Sequence, residues 1–188
     1  MIETPPARLA LLDDVHLRWL TPADAPAIAA AVGDSLDHLR PWLPWATEES
    51  ADVEFQRDRL NKLATLVARG EEWQYGLFGA DDERLLGAFG LMTRRGPGTL
   101  EIGYWLHVDA GGRGYATQAA GALTDVARDL PGVRQVYIYC DAANRRSAGV
   151  ARRLGYHLAR SERVRPEAPS ESGELQLWTL AVGTEWKK

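Results

Sequence analysis

The residues best suited to chemistry form a glycine-rich turn at residues 111–114 (Gly-Gly-Arg-Gly), between a predicted strand and a predicted helix. Glycine accepts the positive φ angles of a tight turn and lets the backbone approach a ligand closely. The first N–H groups of a helix lack intrahelical acceptors and attract anions, and Arg113 adds a cation that can reach a phosphate. We therefore predict that the turn binds the pyrophosphate of a nucleotide-bearing cofactor, although Gly-x-Gly alone is also compatible with a simple turn.

The elements that must position this turn are a strand, a helix and a second strand–helix pair. An apolar, aromatic-rich segment that begins at Leu100 predicts the strand. Apolar residues recur at helical spacing over residues 115–130 and predict the helix. Residues 133–140 are rich in β-branched and aromatic residues and predict a buried strand. A short helix is predicted within residues 141–155, with Asn144 as its N-cap.

Two further helices are predicted in the N-terminal half of the chain. Thr21 and the proline that follows it favour a helix start, and this helix is expected to fade near Gly33. Residues 41–45 (Pro-Trp-Leu-Pro-Trp) cannot continue a helix and predict a stiff, aromatic corner. A longer helix is predicted to start at Thr47, where acidic residues follow, and to end at Gly70.

The remaining segments predict strands. Alternating or β-prone residues mark residues 15–20, 72–79, 84–93, 156–164 and 175–182, and the second and third of these segments form a predicted hairpin. Combined with the helices, they predict an α/β (α+β) domain with a mixed sheet rather than a simple βαβ repeat.

Composition restricts the classes of function. A length of 188 residues suits one domain spanning residues 1–188, and the net charge of −4 does not favour non-specific binding to nucleic acid. The single cysteine excludes an intrachain disulfide and suits a reducing cytoplasm. We expect no signal peptide and no membrane span, because neither a basic segment followed by an apolar one nor a run of about 18 apolar residues is present. The four histidines show no metal-ligand spacing, so no metal is expected.

Three motifs resemble the acetyl-CoA-binding motifs of the GNAT superfamily of N-acetyltransferases. They are Glu-Ile-Gly-Tyr-Trp at residues 101–105, Gly-Arg-Gly-Tyr-Ala-Thr at 112–117, and Asn-x-x-Ser with Leu-Gly-Tyr within 144–156. The resemblance extends over residues 15–180 and is closest to the branch of ribosomal-protein N-terminal (Rim-type) acetyltransferases. One departure is Asp109, which occupies the first position of the superfamily pattern Q/R-x-x-G-x-G/A and removes one polar contact to the cofactor.

The resemblance implies a single GNAT-like domain, in which helices flank a mixed, mostly antiparallel sheet with splayed central strands. It also implies acetyl-CoA as the cofactor, with its pyrophosphate held by the backbone around Gly111, Gly112, Arg113, Gly114, Tyr115 and Ala116. The pantetheine arm would lie between the splayed strands, where unpaired strand amides need a hydrogen-bonding partner. Asn144 would hydrogen-bond this arm in addition to capping its helix.

Moving an acetyl group from a thioester to an amine requires a neutral amine, donors for the oxyanion and a proton for the leaving sulfur. Glu101 is the candidate base, acting through water, and the alternative is an ordinary solvent-facing carboxylate. Ser147 would hydrogen-bond the leaving sulfur, and the alternative is a helix-surface serine. Trp42 and Trp45 either form a wall of the acceptor site, as their position in the family suggests, or pack in the core.

The acceptor stays open at this stage. An α-amine with a pKa of about 8 is roughly a quarter neutral near pH 7.4, whereas deprotonating a lysine costs roughly 4 kcal/mol, so a water-mediated base favours an N-terminal amine. The alternatives are a small-molecule amine (an antibiotic, amino-acid conjugate or polyamine) and a non-catalytic acyl-CoA-binding module. A phosphate-binding NTPase is disfavoured because the loop lacks the Gly-Lys-[Ser/Thr] ending. The protein is expected to be a monomer or a homodimer.

Overall fold

One mixed sheet organises the part of the chain that the computed structural model describes, residues 2–12 and 15–183. Its eight strands are β1 (Arg8–Ala10), β2 (His16–Trp19), β3 (Glu72–Phe78), β4 (Leu85–Met92), β5 (Thr99–Leu106), β6 (Gln135–Asp141), β7 (His157–Arg163) and β8 (Glu174–Ala181). Their spatial order is β1-β2-β3-β4-β5-β6-β8-β7. Every neighbouring pair is antiparallel except β5 and β6, which are parallel.

Helices cover both faces of the sheet. They are α1 (Ala25–Leu39), α2 (Val53–Ala68), α3 (Tyr115–Asp129) and α4 (Arg145–Arg153). The first two pack on one face in a cluster that includes Ile28, Leu60 and Ala88. The last two pack on the other face, where Leu123 joins the cluster that contains Ile102. Within the described residues, no helix combines the length and the apolar character that a membrane crossing requires.

The centre of the sheet is splayed. Parallel pairing between β5 and β6 comprises three residue pairs, of which the last is Glu101 with Tyr137. Beyond that point β5 continues its pairing with β4 as far as Leu106, and β6 continues its pairing with β8 as far as Asp141. The two strands therefore part directly after Glu101, which confirms the predicted α/β fold with splayed central strands.

Two helix boundaries differ from the sequence-based predictions. The first helix does not end at Gly33 but continues to Leu39. Gly33 faces Ala51, whose Cβ atom would lie 3.7 Å from a Cβ atom added at Gly33. The second helix starts at Val53 rather than at Thr47, because Asp52 is extended and its carboxylate accepts a hydrogen bond from the Phe55 N–H at 2.9 Å. The short strand β1 was not predicted.

Candidate active site

The glycine-rich turn has the backbone geometry of an anion cradle. Gly112 and Gly114 have φ angles of +79° and +80°, and a Cβ atom at either position would meet no heavy atom within 4 Å. Gly114 is the N-cap of α3 and supplies no side chain to cap the helix. Space is therefore open where the first turn of α3 begins, as a diphosphate group requires.

The backbone N–H groups of this segment are free to bind a ligand. Those of residues 111–116 donate no hydrogen bond to any residue that the structure describes. Arg113 is exposed and forms no ion pair within the same set. A further cation, Arg153, reaches the same helix end and donates from Nε to Oγ1 of Thr117 at 3.1 Å. Sequence reasoning missed Arg153, which the family motif does not include. The residues present thus fit a diphosphate.

Asn144 and Ser147 lie in the first turn of α4. The Asn144 side-chain oxygen accepts a hydrogen bond from the Ser147 N–H at 3.1 Å, so the predicted N-cap is present. The amide nitrogen of Asn144 donates to no acceptor among the described residues. One end of this side chain is therefore used by the helix, and the other is available to a ligand.

Tyr104 and Ser147 connect β5 to α4. The Tyr104 hydroxyl lies 2.9 Å from the Ser147 Oγ atom. Pairing of β5 with β4 is uninterrupted from Glu101 to Leu106, so side chains alternate and Tyr104 faces away from the Glu101 side of the sheet. Burial raises the pKa of Tyr104 to about 12, which keeps its phenol protonated at neutral pH. Tyr104 can therefore donate to Ser147, whose hydroxyl also lies within hydrogen-bonding reach of the Cys140 thiol.

Glu101 is the last residue of β5 paired with β6. Burial raises the pKa of its carboxyl group, whereas the positive charges of Arg94 and Arg95 oppose the increase. The Glu101 Oε2 atom lies 4.0 Å from the Arg95 Nε atom, and 15% of the side chain is exposed. Glu101 thus lies where β5 and β6 separate, and its carboxylate is more basic than an ordinary one.

A cleft of about 480 Å³ lies on the α1–α2 face of the sheet and includes Glu101 in its lining. Gly90 and Gly103 pair across β4 and β5 and form part of the floor, where an added Cβ would approach the Met92 Cε atom to 3.3 and 3.2 Å, respectively. Trp45 lines the cleft and packs edge-on against Trp105 with their ring centroids 6.1 Å apart.

The corner at residues 41–45 thus places one of its two tryptophans at the cleft. Trp42 is half-buried and does not line the cleft. Its role as part of an acceptor wall stays a prediction.

A polar network that sequence reasoning did not find also lines the cleft. The Arg59 guanidinium donates to Gln56 Oε1 at 2.8 Å and to Gln74 Oε1 at 3.2 Å. Gln74 then donates to Glu72 Oε1 at 2.7 Å, and the second Glu72 oxygen accepts from Arg94 at 3.1 Å. These residues come from α2, β3 and the segment after β4, so no local sequence signal links them.

Two other polar side chains near the site, Tyr156 and Cys140, are buried in the core. The Tyr156 side chain is buried and its hydroxyl lies 2.8 Å from Thr124 Oγ1, so this tyrosine packs in the core. Burial also raises the pKa of the Cys140 thiol, which keeps it protonated. Among the described residues, no three or more His, Cys, Asp or Glu side chains form a group that could hold a metal ion.

The glycine-rich turn lies at one end of the gap between β5 and β6, and the cleft that includes Glu101 lies at the other. This arrangement is typical of an enzyme that brings a phosphate-bearing ligand together with a second substrate. The family model described as Acetyltransferase (GNAT) domain matches residues 14–157. The chain therefore belongs to the GNAT acetyltransferase family. Membership confirms the enzyme class and the acetyl-CoA donor expected from the sequence.

Individual relatives agree with this assignment. The probable N-acetyltransferase YjcK of Bacillus subtilis (strain 168) is 26% identical over 145 residues, which cover 76% of this chain and 80% of the relative. The structure of RimL, a ribosomal L7/L12 α-N-protein acetyltransferase in complex with coenzyme A, is similar with a TM-score of 0.83 and 22% identity, covering 93% of this chain and 98% of that one. The microcin C7 self-immunity acetyltransferase MccE, in complex with acetyl-CoA and AMP, has a TM-score of 0.84 and 15% identity, covering 95% and 98%.

Proposed function

We propose that the protein transfers an acetyl group from acetyl-CoA to the N-terminal α-amine of a protein or peptide, by direct attack within a ternary complex. The observation that carries the proposal is the splay itself, which begins at Glu101 and has the start of α4 beside it. An amine in the cleft and a thioester in the strand gap would meet there. The likeness to RimL supports a protein N-terminus as the acceptor.

The residues of the turn would hold the diphosphate of the donor. The free N–H groups of residues 111–116 provide hydrogen bonds, and the side chains of Arg113 and Arg153 provide positive charge. From Ile102 to Leu106, the β5 edge that faces β6 pairs with no strand of the described part of the chain, so it can hydrogen-bond an extended amide chain. The Asn144 amide nitrogen donates to the same chain.

Glu101 would accept a proton, and Ser147 would stabilise the leaving sulfur. The acetyl donor supplies an activated carbonyl group and a thiolate leaving group. Glu101, whose pKa is raised by burial, accepts the proton of the amine through a water molecule. Ser147 donates a hydrogen bond to the developing thiolate without giving up its proton, and the Tyr104 hydroxyl supports it by donating to Ser147 Oγ. The proton that Glu101 accepts through water neutralises the released thiolate on the way out through solvent. No cysteine nucleophile takes part in this route.

A small-molecule amine is the second candidate acceptor. The cleft volume of about 480 Å³ lies within the range of small-ligand sites, roughly 300 to 1,000 Å³. The likeness to MccE supports the same possibility. A non-catalytic acyl-CoA-binding module is the third, and it shares the cradle but needs neither Glu101 nor Ser147.

The test measures CoA release with a thiol reagent, with N-terminal peptides and small amines as competing acceptors. We expect peptides to be acetylated on the α-amine, and Glu101→Gln and Ser147→Ala each to lower kcat by about 100-fold, the lower end of general acid–base contributions. Glu162→Gln, at a half-buried strand carboxylate on β7 that pairs with Arg160, is the matched control and should retain full activity. Preference for small amines would exclude the N-terminal assignment, and unchanged turnover in both variants would exclude the catalytic roles.

A further inference from the structure

The acceptor cleft contains an arginine that forms no direct ion pair with a carboxylate of the described residues. Four charged side chains line the cleft: Arg59, Glu72, Arg94 and Glu101. Glu72 and Arg94 neutralise each other at 3.1 Å. Arg59 is half-buried and has no carboxylate within 4.0 Å among the residues that the structure describes. Its hydrogen-bond acceptors, Gln56 and Gln74, are neutral amides.

Two neutral acceptors do not satisfy a guanidinium, which carries five N–H donors in a planar fork suited to carboxylates. Gln56 donates its own amide to the Ser50 carbonyl oxygen at 2.6 Å, and Gln74 donates to Glu72 at 2.7 Å, so both glutamines are fixed with their oxygen atoms toward Arg59. The guanidinium is thereby held at the cleft wall, and its remaining donors lack a protein acceptor among the described residues.

The sheet register sets the separation between this charge and the candidate base. Glu72, Met92 and Glu101 form one cross-strand row, and Gln74, Gly90 and Gly103 form the next row on the same face. Arg59 contacts Gln74 on β3, whereas Glu101 belongs to β5, two strands away. Since neighbouring strands lie about 4.8 Å apart, these two positions are separated by roughly 10 Å across the sheet. An extended chain advances about 3.4 Å per residue, so this distance corresponds to roughly three residues.

We infer that Arg59 selects acceptors that carry a carboxylate two residues behind the reacting amine. The inference rests on the proposed function, because it requires the acceptor amine to lie at Glu101. The amine end then meets the carboxylate of Glu101, and the acidic end meets the fork of Arg59. The acid is either the side chain of a third residue, as in a protein N-terminus, or the terminal carboxylate of a tripeptide-sized conjugate.

Binding is measured by calorimetry on the protein saturated with CoA, so that the result does not depend on acetyl transfer. One arm compares Ser-Ala-Asp-Ala amide with Ser-Ala-Asn-Ala amide, and the other compares Ser-Ala-Ala with its C-terminal amide. We expect the acid to bind about 10- to 100-fold more tightly than its amide in at least one arm, the usual gain of a charged hydrogen bond. The arm that shows the gain identifies the source of the carboxylate.

Variants then assign the preference to one side chain. Arg59→Gln should reduce the ratio of acid to amide affinity to about one, and Arg59→Lys should retain part of it because the charge remains. Arg57→Gln, two positions earlier on α2, removes an exposed arginine that pairs with Glu54 and should leave the ratio unchanged. Equal affinity of the wild-type protein for acid and amide, or no binding of either, would overturn the inference, as would a preference that survives Arg59→Gln. Failure of acetyl transfer alone would instead reject the proposed function.

Discussion

The Tyr104 hydroxyl and the Ser147 Oγ atom lie 2.9 Å apart, across the boundary between strand β5 and helix α4. Burial raises the pKa of Tyr104 to about 12, so the phenol remains a donor over the whole working range of a neutral-pH enzyme. A serine that accepts this hydrogen bond keeps its own proton, and under the proposed function that proton would form a hydrogen bond to the sulfur of the donor.

Tyr104→Phe should lower kcat by about 3- to 10-fold and leave KM for acetyl-CoA unchanged, because one neutral hydrogen bond contributes about 1 kcal/mol. Steady-state kinetics test this expectation. The matched control is Tyr156→Phe, which removes another buried hydroxyl, the one bonded to Thr124 at 2.8 Å, and should not change kcat. Equal losses in the two variants would mean that Tyr104 acts only on stability.

Glu101 must be deprotonated to accept a proton, and burial raises its pKa above the ordinary value of 4.5. Activity should therefore be low when Glu101 is protonated and should increase as the pH rises through the pKa of Glu101, which lies above 4.5. The measurement is kcat/KM against pH with a hydrazide acceptor, whose nitrogen stays neutral in the acidic range. Glu101→Gln should abolish this limb, and persistence of the limb in the variant would assign it to another group.

Gly114→Ala and Gly132→Ala form a matched pair, because both glycines have a φ angle near +80° and open space at the Cβ position. Each substitution should lower the free energy of unfolding by about 1 to 2 kcal/mol, the cost of a left-handed residue with a Cβ atom. Gly114→Ala alone should also weaken CoA binding, by about tenfold, because it reorients the N–H groups that point at the phosphates. Calorimetry with CoA separates the effect on binding from the effect on stability. Equal CoA affinities of the two variants would show that the turn does not bind the diphosphate.

Asp141 holds the end of β6 to the loop before β8. Burial alone would raise the pKa of its carboxyl group, but hydrogen bonds from Ser172, Ala143 and Gly173 outweigh burial and lower the pKa. Asp141→Ala should lower the free energy of unfolding by about 3 kcal/mol at neutral pH, because these donors lose a charged acceptor.

The pH dependence of that loss provides the check. The stabilisation by Asp141 is present above its unfolded-state pKa and disappears as the pH falls through its lowered folded-state pKa, below 3.8. The difference between wild-type and variant in urea unfolding should therefore shrink only in that acidic range. Asp125→Asn, at an exposed carboxylate on α3 that pairs with Arg128, should change stability by less than about 0.5 kcal/mol.

Local signals in the sequence were sufficient for the cradle and for the start of α4. Positive φ at Gly112 and Gly114 and the Asn144 cap depend on residues within one turn of each position, so spacing alone predicts them. The start of α2 was misjudged because two segments offer capping groups. Thr47 Oγ1 accepts a hydrogen bond from the Ser50 N–H at 3.3 Å beside a short 3₁₀ turn (Glu49–Ala51), and the α-helix begins only after Asp52.

Contacts between distant segments could not be predicted in the same way. Tyr104 and Ser147 are 43 residues apart, and their contact depends on the strand register and on the packing of α4. Arg59 and Gln74 belong to different elements, so the polar wall of the cleft has no sequence motif of its own. The family motifs cover the side of the site that binds the donor, whereas the side that selects the acceptor depends on this tertiary packing.

The short parallel seam between β5 and β6 divides the sheet into two leaves, one of five strands and one of three, which share three residue pairs. A ligand that lies along the open edges acts as a partial ninth strand and ties the leaves together. Binding of the donor should therefore also stabilise the sheet. It should slow hydrogen exchange along the facing edges of β5 and β6 and raise the melting temperature by mass action. An enzyme built this way is most rigid while it holds its donor.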